Sequence, residues 1–259
     1  ADWLFEGGTI LTMEPDQPRV EAVAVRGNTI VYAGDRRGAQ RWLGASTQRV
    51  DLKGRILLPG LIDSHVHPLM GSLFRSGLSL KIESREREVL DTIRAYVKAN
   101  PGTGVFFGNG WDSNLFSDQG GPHRRDLDAI SSDRPILLMS SDLHSAWVNS
   151  KALQLAGITA DTPNPPVGEI VRDKDGQPTG YLREAPALLQ VINALNLLAP
   201  KTYGPLLQAL LQQFSAMGFT SLFDAAMPFG QLAVYSAIED LDRREALPVR
   251  LHATQTVTS

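Results

Sequence analysis

Two histidines one residue apart carry the first chemical signal in this chain. They close the stretch ILLPGLIDSHVHP, residues 56–68, in which an apolar run breaks at Pro59-Gly60, resumes at Leu61-Ile62 and ends in Asp63-Ser64-His65-Val66-His67. Successive side chains of a strand alternate between its faces, so His65 and His67 point one way and Val66 the other. Two imidazoles side by side at the end of a buried strand can grip one metal ion. Two polar residues finishing a strand at the surface is the competing reading, and spacing alone does not choose between them. Cys is absent, which removes thiolate ligands, disulfides and a Cys nucleophile. A metal site must therefore draw on carboxylates and on the five His: His65, His67, His123, His144 and His252.

The elements around the pair follow from periodicity and turn residues. Residues 3–55 read as short strands and turns, with strands near 3–5 and 9–12 around Gly7-Gly8. Strands near 22–25 and 29–33 are joined by the hairpin signal Arg26-Gly27-Asn28, and a short helix and another strand follow. Past His67, the spacing of Val89, Leu90, Ile93, Tyr96 and Val97 predicts a helix over 85–100, with Ser84 as its N-cap and Pro101-Gly102 as its stop. Residues 105–108 and 135–139 read as buried strands, the second running into Ser140-Ser141-Asp142-Leu143-His144. A helix is expected over 145–155, a surface loop with one hairpin over 158–179, helices over 186–198, 205–217 and 231–244, and strands over 218–224 and 248–253. From residue 205 the order is helix, strand, helix, strand, the alternation of a parallel sheet or barrel. Functional side chains of such folds lie at the C-terminal ends of strands, which puts His65, His67, Asp224 and either His252 or Thr254 on the working face.

Composition narrows the classes. The 259 residues are 42% hydrophobic and 20% charged, with a formal net charge of −3, ordinary for a globular chain. The charges are mixed along the sequence, so neither a nucleic-acid tract nor a basic membrane patch is indicated, and no apolar run reaches membrane-spanning length. The opening ADWLFEGGTI lacks the basic and apolar regions of a signal peptide, and the cytoplasm is the expected compartment. The chain also lacks an initiating Met, which leaves room for a removed leader and export. No G-x-S-x-G elbow, P-loop or G-x-G-x-x-G occurs.

The ordered motifs resemble a known family. PGLIDSHVH is similar to the first barrel strand of the amidohydrolase superfamily. Gly108-Asn109-Gly110-Trp111-Asp112, then Asp142-Leu143-His144-Ser145-Ala146-Trp147-Val148-Asn149-Ser150, then Gly180-Tyr181-Leu182-Arg183-Glu184-Ala185, then Gly218-Phe219-Thr220-Ser221 follow in the order of its YtcJ-like branch, which includes N-substituted formamide deformylases. The resemblance runs from about Leu4 to the last residues. It implies an α/β chain: part of a (β/α)8 TIM-like barrel, with an N-terminal β-sandwich half at 1–55, the hydrolase barrel over 56–259, and a large α+β insertion at about 70–200. Family members run to roughly twice this length, and a barrel alone takes about 250 residues. Only the first two or three barrel strands are therefore expected, without the bridging Lys, the later His ligands or the general-base Asp.

The resemblance also implies roles. His65 and His67 are expected as ligands to one or two divalent ions, with zinc the expected metal. Zinc accepts neutral imidazole and acidifies bound water, and the implied reaction is hydrolysis of a non-peptide C–N bond in an amide, formamide or cyclic amide by metal-activated water. His144 and Glu184 are expected as catalytic groups, with a structural His and a bridging or structural carboxylate as the alternatives. Trp111 and Asp112 are expected to line the substrate pocket, core packing being the rival for Trp111. Asp63 is either an orienting carboxylate for a ligand His or a turn residue, Asp224 a loop cap or a neighbour of the metal, His123 a surface residue and His252 a core residue. The partners implied are a small-molecule substrate and the remaining C-terminal half of the fold, with a homodimer in view and neither nucleic acid nor membrane. The alternative is a non-catalytic fragment, a binding or regulatory remnant of the same fold.

Overall fold

A two-residue turn starts the architecture. Strands β1 (Trp3–Leu11), β2 (Arg19–Arg26) and β3 (Thr29–Gly34) pair antiparallel in sequence order. Gly27, at φ +57°, takes the left-handed position between β2 and β3 that only a residue without Cβ adopts freely. The two strands expected at either end of Gly7-Gly8 are one: β1 runs through, with a shift of register between Glu6 and Ile10. A short helix α1 (Arg36–Ala39) is capped by Asp35, whose Oδ1 accepts the Gly38 N–H at 2.6 Å, and one 3₁₀ turn follows. Strands β4 (Gln48–Asp51) and β5 (Ile56–Leu57) lie parallel to β1, completing a five-stranded sheet ordered β3-β2-β1-β4 with β5 also on β1. Leu4, Ala22, Ala24 and Ala39 fill one side of it, and Ile10, Val23 and Leu52 the other.

This computed structural model describes residues 1–82, 84–102, 104–116, 120–225 and 231–254. The chain divides into two compact units, Ala1–Leu61 and Ile62–Ser259.

The second unit takes all but the first residue of β6 (Leu61–Val66) and holds α2 (Pro68–Arg75), β7 (Leu78–Ser79), α3 (Glu86–Ala99), β8 (Phe106–Trp111), α4 (Arg124–Asp128), β9 (Ile136–Ser140), β10 (Ser145–Val148), α5 (Ser150–Leu155), β11 (Glu169–Arg172), β12 (Pro178–Arg183), α6 (Ala185–Ala194), α7 (Pro200–Ala216), β13 (Phe219–Asp224), α8 (Gln231–Arg243) and β14 (Arg250–Ala253). A six-stranded sheet is ordered β11-β12-β10-β9-β8-β7. β7, β8 and β9 run parallel, and β9, β10, β12 and β11 pair antiparallel in turn. The unbroken apolar run of β9 is explained by burial on both faces. Leu137 and Met139 join Ala146, Val148 and Leu182 in the core under α6 and α7, while Ile136 and Leu138 join Phe106, Trp111, Trp147 and Tyr181 in the core on the other face. A separate three-stranded sheet is ordered β14-β13-β6, with β13 and β14 parallel.

Several expectations are corrected. The helix expected over 145–155 begins only at Ser150. Residues Ser145–Val148 form β10, because Leu143 at φ +65° turns the chain straight back from β9 and Trp147, β-branched Val148 and Ala146 then fit the doubly buried sheet. Asn149 starts α5 instead, its Oδ1 accepting the Ala152 and Ile136 N–H groups, both at 3.0 Å. Arg85 rather than Ser84 caps α3, with the Glu88 carboxylate accepting the Arg85 N–H at 2.9 Å. The helix expected from 205 starts at Pro200. Among the described residues His252, on β14, is exposed rather than packed. Among the described residues no helix is long and apolar enough to cross a membrane.

Candidate functional site

The end of β6 delivers the His pair as its alternation requires. Val66 packs against the main core, and the rings of His65 and His67 lie on the other side, 5.3 Å apart between centroids and nearly perpendicular at 79°. Of the two readings for Asp63, orienting carboxylate or turn residue, the contact observed is the local one: it accepts the backbone N–H of His65 at 3.0 Å. The carboxylate that meets an imidazole comes from the next strand. Asp224, at the end of β13 and 1% exposed, brings Oδ1 to 3.4 Å from His67 Nδ1. That is long for a hydrogen bond, yet it fixes which ring nitrogen faces the carboxylate. Tyr203 on α7 and Tyr235 on α8 feel the same charge. Burial, and secondarily the Asp224 carboxylate, push both phenols above their ordinary range and keep them protonated.

These donors fit one side of a divalent-metal site. With Nδ1 turned to Asp224, His67 has Nε2 left for a metal, the arrangement in which a ligand His gives its other N–H to a carboxylate. A catalytic zinc takes about three protein ligands, and no group of three or more His, Asp or Glu that could hold a metal ion gathers among the described residues.

A second imidazole–carboxylate pair stands at the corner of the six-stranded sheet. His144, in the turn from β9 to β10, has Nδ1 3.1 Å from Glu184 Oε2, just past β12. Both side chains are open to solvent, 68% and 48% exposed. The Glu184 hydrogen bond and charge raise the His144 pKa above its ordinary value. Glu184 and Leu143 both hold φ above +60°, and the turn is tied by Asp142, which accepts Ser140 Oγ at 2.6 Å, Ser113 Oγ at 2.9 Å and the His144 N–H at 3.0 Å. Burial opposes ionisation of Asp142, but these donors outweigh it and hold its carboxyl below the usual range. Among the described residues no hydrogen bond or ring contact links His144 and Glu184 to His65 and His67.

Trp111, expected beside substrate, is fully enclosed. It lies edge-on to Phe116, Trp147 and Tyr181 and donates its indole N–H to Leu138 O at 3.0 Å. Asp112 is half-buried and turned into its own loop, with Oδ1 accepting the Asn114 N–H at 2.9 Å. His123 caps α4, its Nδ1 accepting the Arg125 N–H at 3.2 Å, and burial followed by Arg125 lowers its pKa.

The sequence profile described as Amidohydrolase family matches residues 48–259. The chain belongs to the amidohydrolase family. It is 31% identical over 255 residues to the exoenzymes regulatory protein AepA of Pectobacterium carotovorum subsp. carotovorum, covering 96% of this chain and 54% of that one. It is 27% identical over 239 residues to the N-substituted formamide deformylase of Arthrobacter pascens, covering 90% and 44%. An uncharacterised metal-dependent hydrolase from Pyrococcus furiosus has a similar crystal structure, with a TM-score of 0.72 at 25% identity over 97% of this chain and 49% of that one. This amidohydrolase chain thus spans about half the length of the relatives it matches. Asp224 is the site residue that sequence reasoning left half-assigned. Its signal was the acidic tip of an apolar strand, and its partner lies 157 positions away in the sequence.

Proposed function

We propose that this chain carries the metal-gripping strand of a metal-dependent hydrolase that cleaves a non-peptide C–N bond in a small molecule, with N-substituted formamides as the substrates to try first. The observation that carries this reading is His67 Nδ1 facing the buried Asp224 carboxylate, with His65 beside it at a strand end in an amidohydrolase chain. The deformylase relative supports the bond type. In this reading β6, β13 and β14 are the first strands of a (β/α)8 barrel, residues 1–55 are half of a β-sandwich, the six-stranded sheet is an insertion, and the rest of the fold supplies the remaining ligands.

A bound divalent ion, zinc in this reading, supplies Lewis acidity toward a carbonyl oxygen and acidifies water. The chain's own groups do the rest. His65 and His67 offer ring nitrogens. Asp224 holds the proton of His67 on Nδ1, so that Nε2 keeps its lone pair. His144, whose pKa the Glu184 hydrogen bond raises, is in this reading the group that gives a proton to a departing amine.

The test uses the full-length protein. Zinc content after dialysis and hydrolysis of an N-substituted formamide are measured for the wild type and for His65→Ala/His67→Ala. The wild type should hold metal and turn over, and the double variant should lose both. A double variant that keeps its metal and its activity overturns the reading.

A further inference from the structure

Asp224 is held in place by more than its strand. The register of β13 and β14 pairs Asp224 with Ala253, and the next residue, Thr254, donates both its backbone N–H and its Oγ1 to the Asp224 carbonyl, at 3.2 and 3.1 Å. The first bond belongs to the backbone and survives any side chain except Pro. The second needs a hydroxyl. The Thr254 carbonyl in turn accepts the phenol O–H of Tyr235, reaching over from α8. On the other side of β13, the Ala225 N–H donates to Val66 O at 3.2 Å, one residue before His67. The ends of β6, β13 and β14 are thereby laced together where His67 and Asp224 must meet. A strand end left to fray would let the Asp224 side chain swing, and the imidazole would lose the acceptor that selects its tautomer.

We infer that Thr254, braced by Tyr235, is a positioning residue that fixes the end of β13 so that Asp224 faces His67 Nδ1. The inference rests on the reading of His67 as a metal ligand, and its use in catalysis is to keep Nε2 unprotonated before metal arrives. Tyr235 extends the brace to α8, so packing of that helix sets the geometry of a ligand it does not touch.

The test uses full-length protein carrying Thr254→Val, Thr254→Ser or Tyr235→Phe, with zinc alone as the probe. Two quantities are read: zinc affinity by chelator competition, and the tautomer of His67 from imidazole nitrogen shifts in metal-free protein. Thr254→Val should weaken zinc binding roughly tenfold, the low end of the range for outer residues of metal sites, and turn a single Nδ1–H tautomer into a mixture. Thr254→Ser should restore both, and Tyr235→Phe should move both in the Val direction by less. Wild-type zinc affinity and a wild-type tautomer in Thr254→Val overturn the inference. Zinc retained by His65→Ala/His67→Ala would instead sink the ligand reading. The tautomer, which needs no metal, still decides whether Thr254 positions His67.

Discussion

His67 with Asp224 and His144 with Glu184 are both imidazole–carboxylate pairs, yet their carboxylates sit in opposite surroundings, 1% against 48% exposed. The second pair is the closer, 3.1 Å against 3.4 Å, but both of its members stand in solvent, which screens the attraction. Asp224 is shut away from water at the end of β13, and its charge helps raise the Tyr203 and Tyr235 phenols, while the His67 ring it faces is 42% exposed. Distance alone would rank the corner pair first, whereas burial ranks the strand-end pair first. The corner differs in a second way, since β10 and β12, whose ends carry it, also carry Trp147 and Tyr181 of the aromatic core. The strand end is built around its carboxylate.

The largest effect expected at the corner is therefore structural. Trp111→Ala removes a side chain with no exposed surface that touches three aromatic rings. Such truncations cost about 3–5 kcal/mol. Chemical denaturation should show that loss, while the KM of whatever folds stays near wild type. If the variant instead stays stable and its KM rises, Trp111 meets substrate and the division between the two regions fails.

The His pair was legible because a strand's period of two needs no tertiary information, and the hairpin at Gly27 because its turn chemistry is local. Trp111 was left between pocket wall and core, and its 0% exposure has a physical reason. The glycines before it mark close backbone approach within a strand that shifts register between Asn109 and Trp111. A Cβ on Gly110 would lie 2.5 Å from Leu80 O, so β8 runs on through Trp111. The helix expected over 145–155 fails because the turn at Leu143 rests on a left-handed conformation that nothing in a Leu announces. Asp224 could be read as a strand tip, but its pairing with His67 is made only when β6 and β13 come side by side.

At the strand end, Asp224→Asn tests whether charge or only a hydrogen-bond acceptor holds His67. Loss of the carboxylate should weaken zinc binding about 10- to 100-fold in the full-length protein, the range found for carboxylates behind ligand His residues. The matched change Glu184→Gln should leave zinc affinity unchanged. Chelator competition on both variants reads the contrast directly, and equal losses would erase it.

The smallest effect belongs to the corner pair. Glu184 is the leading cause of the raised His144 pKa. A folded-state pKa above the unfolded value of about 6.5 means the interaction contributes fully below that pH and is lost as pH rises through the folded pKa. Glu184→Gln removes the hydrogen-bonded charge, so a ring-proton titration of His144 should move down toward the ordinary value, with the charge of Asp142 still favouring the protonated form. Because both side chains are solvated, the thermal midpoint at pH 5.5 should barely change. A clear drop there, absent at pH 8.5, would show that the corner pair is coupled to folding. An unshifted titration would show that Glu184 does not hold the His144 proton, which would remove His144 as the proton donor.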